Sequence, residues 1–149
     1  MHKIVLIFFL IFISQSISFS SENDYFLMLK NKEVNVRYGP SLDYPIKFIY
    51  KKKFLPIKVI DTKENFRRII DFKNNSGWIH TSQLRKGKSF ILREDQLLFS
   101  KPTKYSKPIA KISSGRLLLI KKCKLKWCKA KTGNYTGWIK YEEVWGVFK

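Results

Sequence analysis

Only two histidines, two cysteines, seven glycines and eleven acidic residues occur in this chain of 149. Each scarcity removes a class of chemistry. A Ser-His or Cys-His arrangement would have to recruit His80, because His2 lies in a segment expected to be cut away. The same holds for a metal site built on imidazole. The glycines form no Gly-rich phosphate loop. Carboxylate pairs such as Glu94-Asp95 and Glu142-Glu143 are sequence neighbours, whose side chains leave in different directions and do not pair as general acid and base. Beyond residue 20 no apolar run approaches the roughly 20 residues that span a bilayer. These absences predict a chain that is not an enzyme, with no catalytic residue, no metal and no cofactor.

What is present begins with an address. Met1-His2-Lys3 is a short basic start, followed by the apolar run 4–13 and a Ser-rich stretch. This order reads as a secretory signal peptide over residues 1–20, and Ser18-Phe19-Ser20 sets small residues three and one before a cut after Ser20. The expected mature chain is exported, in the periplasm, with no transmembrane segment. It retains 29 basic residues against 11 acidic, a net charge of +18. Such a charge draws a protein to anionic polymers or surfaces, and salt weakens the attraction. Lysine makes up 24 of the 30 basic residues, beside abundant Ile, Phe and Asn, a composition that AT-rich coding also produces. Selected charge and inherited composition both remain open readings.

The chain also says one thing twice. "NSGWI" ends at Ile79 and "YTGWI" at Ile139, placing Trp78 and Trp138 60 residues apart in a chain with four tryptophans. The echo extends outward from there. Each half has a short apolar strand, a turn with Pro40 or Pro102, and a Pro-Ile step at Pro45-Ile46 or Pro108-Ile109. An apolar run, a polar turn, an aromatic (Phe66 or Trp127) and a further turn then lead to Gly-Trp-Ile. Two copies of one supersecondary unit follow. Leu55, Ile57 and Val59 alternate with their neighbours at the period of a strand, and turn-rich segments such as 73–76 and 132–135 separate strand candidates. The expectation is all-β, one small barrel per copy, hinged at Arg85-Lys86-Gly87-Lys88, with Trp78 and Trp138 sealing the last strands.

Asn35-Val36-Arg37, Gly39-Pro40, Tyr44-Pro45, the paired Gly-Trp and Val144-Trp145-Gly146-Val147 together resemble the exported tandem bacterial Src-homology-3-like proteins of alphaproteobacteria. The likeness covers nearly the whole mature chain. It departs at Phe66, where the family often has Trp, and at Ser100-Lys101-Pro102, which lacks the wording of Arg37 to Pro40. The resemblance implies a first barrel over residues 21–86, a second over 87–149, and a binding or scaffolding role in the envelope.

Candidate binding residues follow from residue type. Tyr38, Tyr44 and Tyr50 crowd the first Pro-rich turn, and such aromatics either fill a barrel or grip peptides and sugar rings. Trp78 and Trp138 join them as ligand-binding candidates. Lys121, Lys122, Lys124, Lys126, Lys129 and Lys131 crowd a second-copy hairpin, and Lys51, Lys52 and Lys53 occupy what reads as its first-copy counterpart. Both suit an anionic surface, or else form a solvated face. Cys123 and Cys128 can face each other across that hairpin, and an oxidising compartment favours their disulfide. His80, whose counterpart is Lys140, reads as a surface strand residue. The expected function is a non-catalytic envelope module recognising peptidoglycan, its stem peptides or a wall-associated partner. The alternatives are a protein interaction scaffold without wall affinity and a charge-driven binder of anionic envelope surfaces. Export argues against nucleic acid as partner.

Overall fold

The computed structural model describes residues 25–147; residues 1–24, with the expected signal peptide and its cut after Ser20, and residues 148–149 lie outside the described residues. The first half forms β1 (Tyr25–Leu29), β2 (Val34–Arg37), β3 (Ile46–Tyr50), β4 (Pro56–Lys63), β5 (Phe66–Ile70), β6 (Ser76–His80) and β7 (Leu84–Arg85), with a 3-10 turn at Thr81–Gln83. The second half forms β8 (Ser89–Leu92), β9 (Gln96–Phe99), β10 (Pro108–Ile112), β11 (Leu117–Lys124), β12 (Trp127–Thr132), β13 (Tyr135–Lys140) and β14 (Val144–Val147). Hydrogen-bonded order is β3-β2-β6-β5-β4-β1-β7 in one sheet and β10-β9-β13-β12-β11-β8-β14 in the other. The second order is the first with every label advanced by seven. The described chain is therefore all-β, two tandem SH3-like units of one topology.

Alternation drives each strand into place. In β2, Val34 and Val36 are fully buried while Asn35 and Arg37 face outward; Leu55, Ile57 and Val59 likewise turn into the core. The barrels expected from the sequence are open ladders rather than closed rings. Each sheet instead bends around its core at matching register shifts, after Val59 in one copy and after Ile120 in the other. A bulge of this kind adds twist and curvature, which lets six strands of the first sheet contribute to one apolar cluster.

The paired tryptophans do not seal these cores. In β6, Gly77 is buried, Trp78 half-buried and Ile79 fully buried, and β13 repeats the pattern with Gly137, Trp138 and Ile139. With a period of two, Gly and Ile share the inner face and Trp is left on the outer one. Glycine is required because a Cβ at Gly77 would overlap the Val36 side chain, and one at Gly137 would sit 2.7 Å from the Phe99 carbonyl oxygen and 2.8 Å from Leu98. The inner position must be empty so that β2 or β9 can approach, and the isoleucine two strand positions along closes the core.

The two copies are also less separate than the repeat suggests. Ile91, from β8, is fully buried within the first copy's apolar cluster, and Leu117 and Trp145 pack against the same cluster. Trp145 meets Phe26 edge to face at 5.2 Å and its indole N–H donates to the Pro56 carbonyl at 3.3 Å. The Ser89 hydroxyl donates to the Phe54 carbonyl at 2.9 Å. At the expected hinge, Arg85 of β7 is paired with Met28 of β1 and the Lys88 carbonyl accepts the Ile120 N–H at 3.0 Å.

Candidate functional site

On the first copy, Arg37 gathers three of the candidate aromatics. It follows Val36 at the register shift of β2, precedes Tyr38, and lies across the ladder from Trp78. Its guanidinium donates to the Tyr44 carbonyl at 2.7 Å, and the Tyr38 N–H donates to the Pro45 carbonyl at 3.2 Å, which closes the Pro-rich turn. The Tyr44 ring lies over Gly39, where a Cβ would stand 2.5 Å from it. Tyr38 is 62% exposed, with Lys47 Nζ 5.6 Å from its ring centre. Tyr38, Tyr44 and Trp78 thus share one outward surface, joined by exposed Leu42, Ile46 and Ile49.

Tyr50 belongs elsewhere. It packs against the core, and its hydroxyl donates to Asp71 at 3.0 Å. Burial first, and then the Asp71 charge and hydrogen bond, push the phenol well above its ordinary value. Asp71 itself is buried and also accepts from the N–H groups of Lys73 and Asn75 and from the Asn75 side chain, each at 2.9 Å. This network orders the loop between β5 and β6.

On the second copy the outer face is built differently. Phe99 occupies the position of Arg37, since both pair with the Gly-Trp tryptophan of their own copy. Trp127 meets Phe99 edge to face at 5.7 Å. With Leu97 they wall a groove of about 230 Å³ whose rim carries Lys104 and Lys140 and also Glu94 and Glu142. Lys140 and Glu142 stand 3.6 Å apart, and the Gln96 side chain donates to the Glu142 carbonyl at 2.6 Å. The equivalent surface of the first copy is built from other side chains. There His80 lies edge to face on Phe66 at 5.1 Å, its Nδ1 accepts the Ser82 N–H at 3.2 Å, and Gln83 accepts the Asn35 N–H at 2.9 Å.

The lysine clusters turn out not to be counterparts. Lys51, Lys52 and Lys53 are exposed in the loop between β3 and β4, whereas Lys121, Lys122, Lys124 and Lys126 flank the hairpin between β11 and β12, whose first-copy match is the β4–β5 hairpin. Lys52 reaches the second copy instead. It borders a cavity of about 420 Å³ with Lys111, Arg116 and Tyr135. Backbone hydrogen bonding by Ser114 and the Lys111 ammonium nearby hold the Asp95 carboxyl below its ordinary value. Cys123 and Cys128 are opposite one another and disulfide-bonded. Lys122 Nζ lies 5.9 Å from the Trp138 ring centre, which places that candidate beside the basic hairpin rather than inside the groove.

Leu97, Phe99 and the groove role of Trp127 escape a reading of the sequence because Leu97-Leu98-Phe99 is a continuous apolar run, in which inward and outward residues look alike. A signal was nonetheless present: the matching first-copy residues are Asn35, Val36 and Arg37, so the outward pair is polar in one copy and apolar in the other.

Two bent β units of identical strand order, each carrying aromatics on an outer face, define a tandem SH3-like binding architecture. The chain belongs to the bacterial SH3 domain family, a family of binding domains, whose model matches it twice, over residues 30–86 and again over 93–146. No curated protein matches the chain. Among solved structures it is similar to NlpC2 from Trichomonas vaginalis, with 13% identity and a TM-score of 0.38 over 85% of this chain and 49% of that one. It is also similar to NlpC1 from the same organism, with 12% identity and a TM-score of 0.37 over 84% and 46%. The chain thus spans about half the length of those two proteins. Among the described residues no helix is long and apolar enough to cross a membrane.

Proposed function

We propose that this chain is a non-catalytic, exported envelope module that binds peptidoglycan through its stem peptides. The second-copy groove carries this reading: aromatic and aliphatic walls from Phe99, Trp127 and Leu97, and a rim that offers both ammonium and carboxylate groups. A short wall peptide bears free amines and carboxylates on a compact aliphatic backbone, which such a groove complements in charge and in contact. The Tyr38, Tyr44 and Trp78 surface of the first copy is a second contact on the same polymer, and membership in a family of binding domains supports the reading. Two modules on one chain raise avidity without new contacts when both engage.

Co-sedimentation of the mature protein with purified sacculi across a salt series tests this. Binding should persist at high salt, be competed by soluble stem peptide, and weaken about tenfold in Phe99→Ala and less in Tyr38→Ala. Pelleting that vanishes at moderate salt would sink the wall reading. The exposed apolar set of Tyr38, Leu42, Ile46 and Ile49 favours one other reading, a protein partner docked on the first copy. Salt-insensitive capture of a single protein with no sacculus pelleting would select it.

A further inference from the structure

The tip of the second-copy hairpin is built against ordinary preferences. Leu125, its apex, is 88% exposed and has a φ of +53°, the left-handed region that a leucine rarely adopts. Glu64 holds the same place in the first copy, at a φ of +47°. A polar residue at such a turn solvates well; a leucine there gains nothing from the protein's own packing. Around it, Lys121, Lys122, Lys124 and Lys126 are all exposed, and the stretch 121–131 contains no carboxylate. The first-copy hairpin mixes both signs, with Asp61, Lys63 and Glu64. Half-buried Trp138 lies behind the apex, with Lys122 Nζ 5.9 Å from its ring centre. The Cys123–Cys128 disulfide ties the two strands together just below the apex.

We infer that this hairpin docks the protein on an anionic lipid bilayer, with Leu125 entering the boundary between headgroups and acyl chains and the lysines meeting lipid phosphates. An apolar apex surrounded by ammonium groups, with a tryptophan one layer behind, matches the order of chemistry across a bilayer surface. A soluble polyanion would use the lysines and leave the leucine idle. The observation that a single apolar side chain replaces an acid at the tip of the more basic hairpin therefore selects the bilayer. This surface is distinct from the groove and does not rest on wall binding.

The test uses the full oxidised mature chain and vesicles of phosphatidylcholine with and without phosphatidylglycerol, alongside polyglutamate as a soluble polyanion. Binding should require phosphatidylglycerol and fall as salt rises. Leu125→Gly, which suits the positive φ, and Leu125→Asn, which also tolerates it, should each weaken vesicle partitioning about tenfold while leaving polyglutamate binding unchanged. Lys124→Ser with Lys126→Ser should weaken both. Leu97→Ala, on the groove wall and away from both tryptophans in the ladder, should leave vesicle binding untouched while weakening sacculus binding, which separates failure of this inference from failure of the wall reading. Vesicle binding indifferent to both Leu125 variants, or equal losses on vesicles and polyglutamate, would overturn it.

Discussion

The same seven-strand plan carries two different outer faces. In the first copy Arg37, Asn35 and His80 stand on that face beside exposed Ile46 and Ile49, the 3-10 turn at Thr81–Gln83 covers its end, and Glu64 caps the hairpin. In the second, Phe99, Leu97 and Lys140 occupy the matching places, a groove opens beside Trp127, and Leu125 caps a disulfide-bonded hairpin. The inner faces, by contrast, hardly differ in kind: Val36 and Leu98, Val59 and Ile120, Ile79 and Ile139 all turn toward their cores, Ile120 from a half-buried position. Folding constrains the inner face of each copy, so divergence there is limited to volume and shape. The outer face is constrained only by solubility, and there the copies have separated. The difference teaches that the two outer faces are free to serve different ends, and on the proposed wall reading the ligand chemistry is concentrated on the second.

The largest expected effect tests how far the copies are independent at all. Trp145 belongs to the second sheet but packs on Phe26 and donates to Pro56 of the first. Trp145→Ala should destabilise the whole chain by about 3 kcal/mol, as truncation of a packed aromatic does. The comparison predicts one cooperative thermal transition, displaced downward as a whole. A variant in which the second copy melts early while the first is unmoved would show that the shared cluster around Ile91 does not couple them.

Removing the disulfide should act on one copy only. Cys123 and Cys128 close a loop of a few residues, and Cys123→Ser with Cys128→Ser should cost about 2 kcal/mol. The first copy has Thr62 and Arg67 in those places. Hydrogen exchange should therefore quicken in β11 and β12 relative to β4 and β5; equal acceleration in both hairpins would mean that the bond constrains the chain globally.

Tyr50 sharpens the comparison from the other side, because the Asp71 network has no counterpart in the second copy, where Gly133 at a φ of +53° and Asn134 make the equivalent turn. Tyr50→Phe should cost about 1 kcal/mol, the usual worth of one lost hydrogen bond. Its pH dependence has a definite sign. The folded phenol is held above its ordinary value by burial and then by Asp71, so the unfolded chain ionises first. The stabilisation is complete below the ordinary phenol value of about 10 and declines as pH rises above it. Melting curves of wild type and Tyr50→Phe should converge in that alkaline range; parallel curves would show that the phenol does not ionise on unfolding.

How much of this could be read from residues alone depends on which face a residue occupies. The strands, the duplication and the Cys123–Cys128 pairing were legible, because alternation, repetition and short spacing are local signals. The direction of Trp78 and Trp138 was not, since a large aromatic beside a buried glycine suits either face until the partner strand is known. Tyr50 was grouped with Tyr38 and Tyr44 by proximity along the chain, yet the strand turns it toward Asp71, 21 residues away. The union of the copies through Trp145 spans 89 residues to Pro56 and carries no local signature.

The smallest effect is the most diagnostic, because its two consequences have opposite signs. Leu125→Gly should leave stability unchanged or raise it by about 0.5 kcal/mol: the left-handed backbone disfavours leucine by roughly 1 kcal/mol, and the added freedom of glycine in the unfolded chain offsets part of that. Glu64→Gly in the first copy should behave alike in a thermal melt, since both residues share the same backbone conformation. The two should part company on vesicles of phosphatidylglycerol, where only the Leu125 variant loses binding. A residue kept for the fold would lower stability when removed. One kept for a surface outside the molecule lowers only binding, and the paired substitutions read both quantities at equivalent positions of one chain.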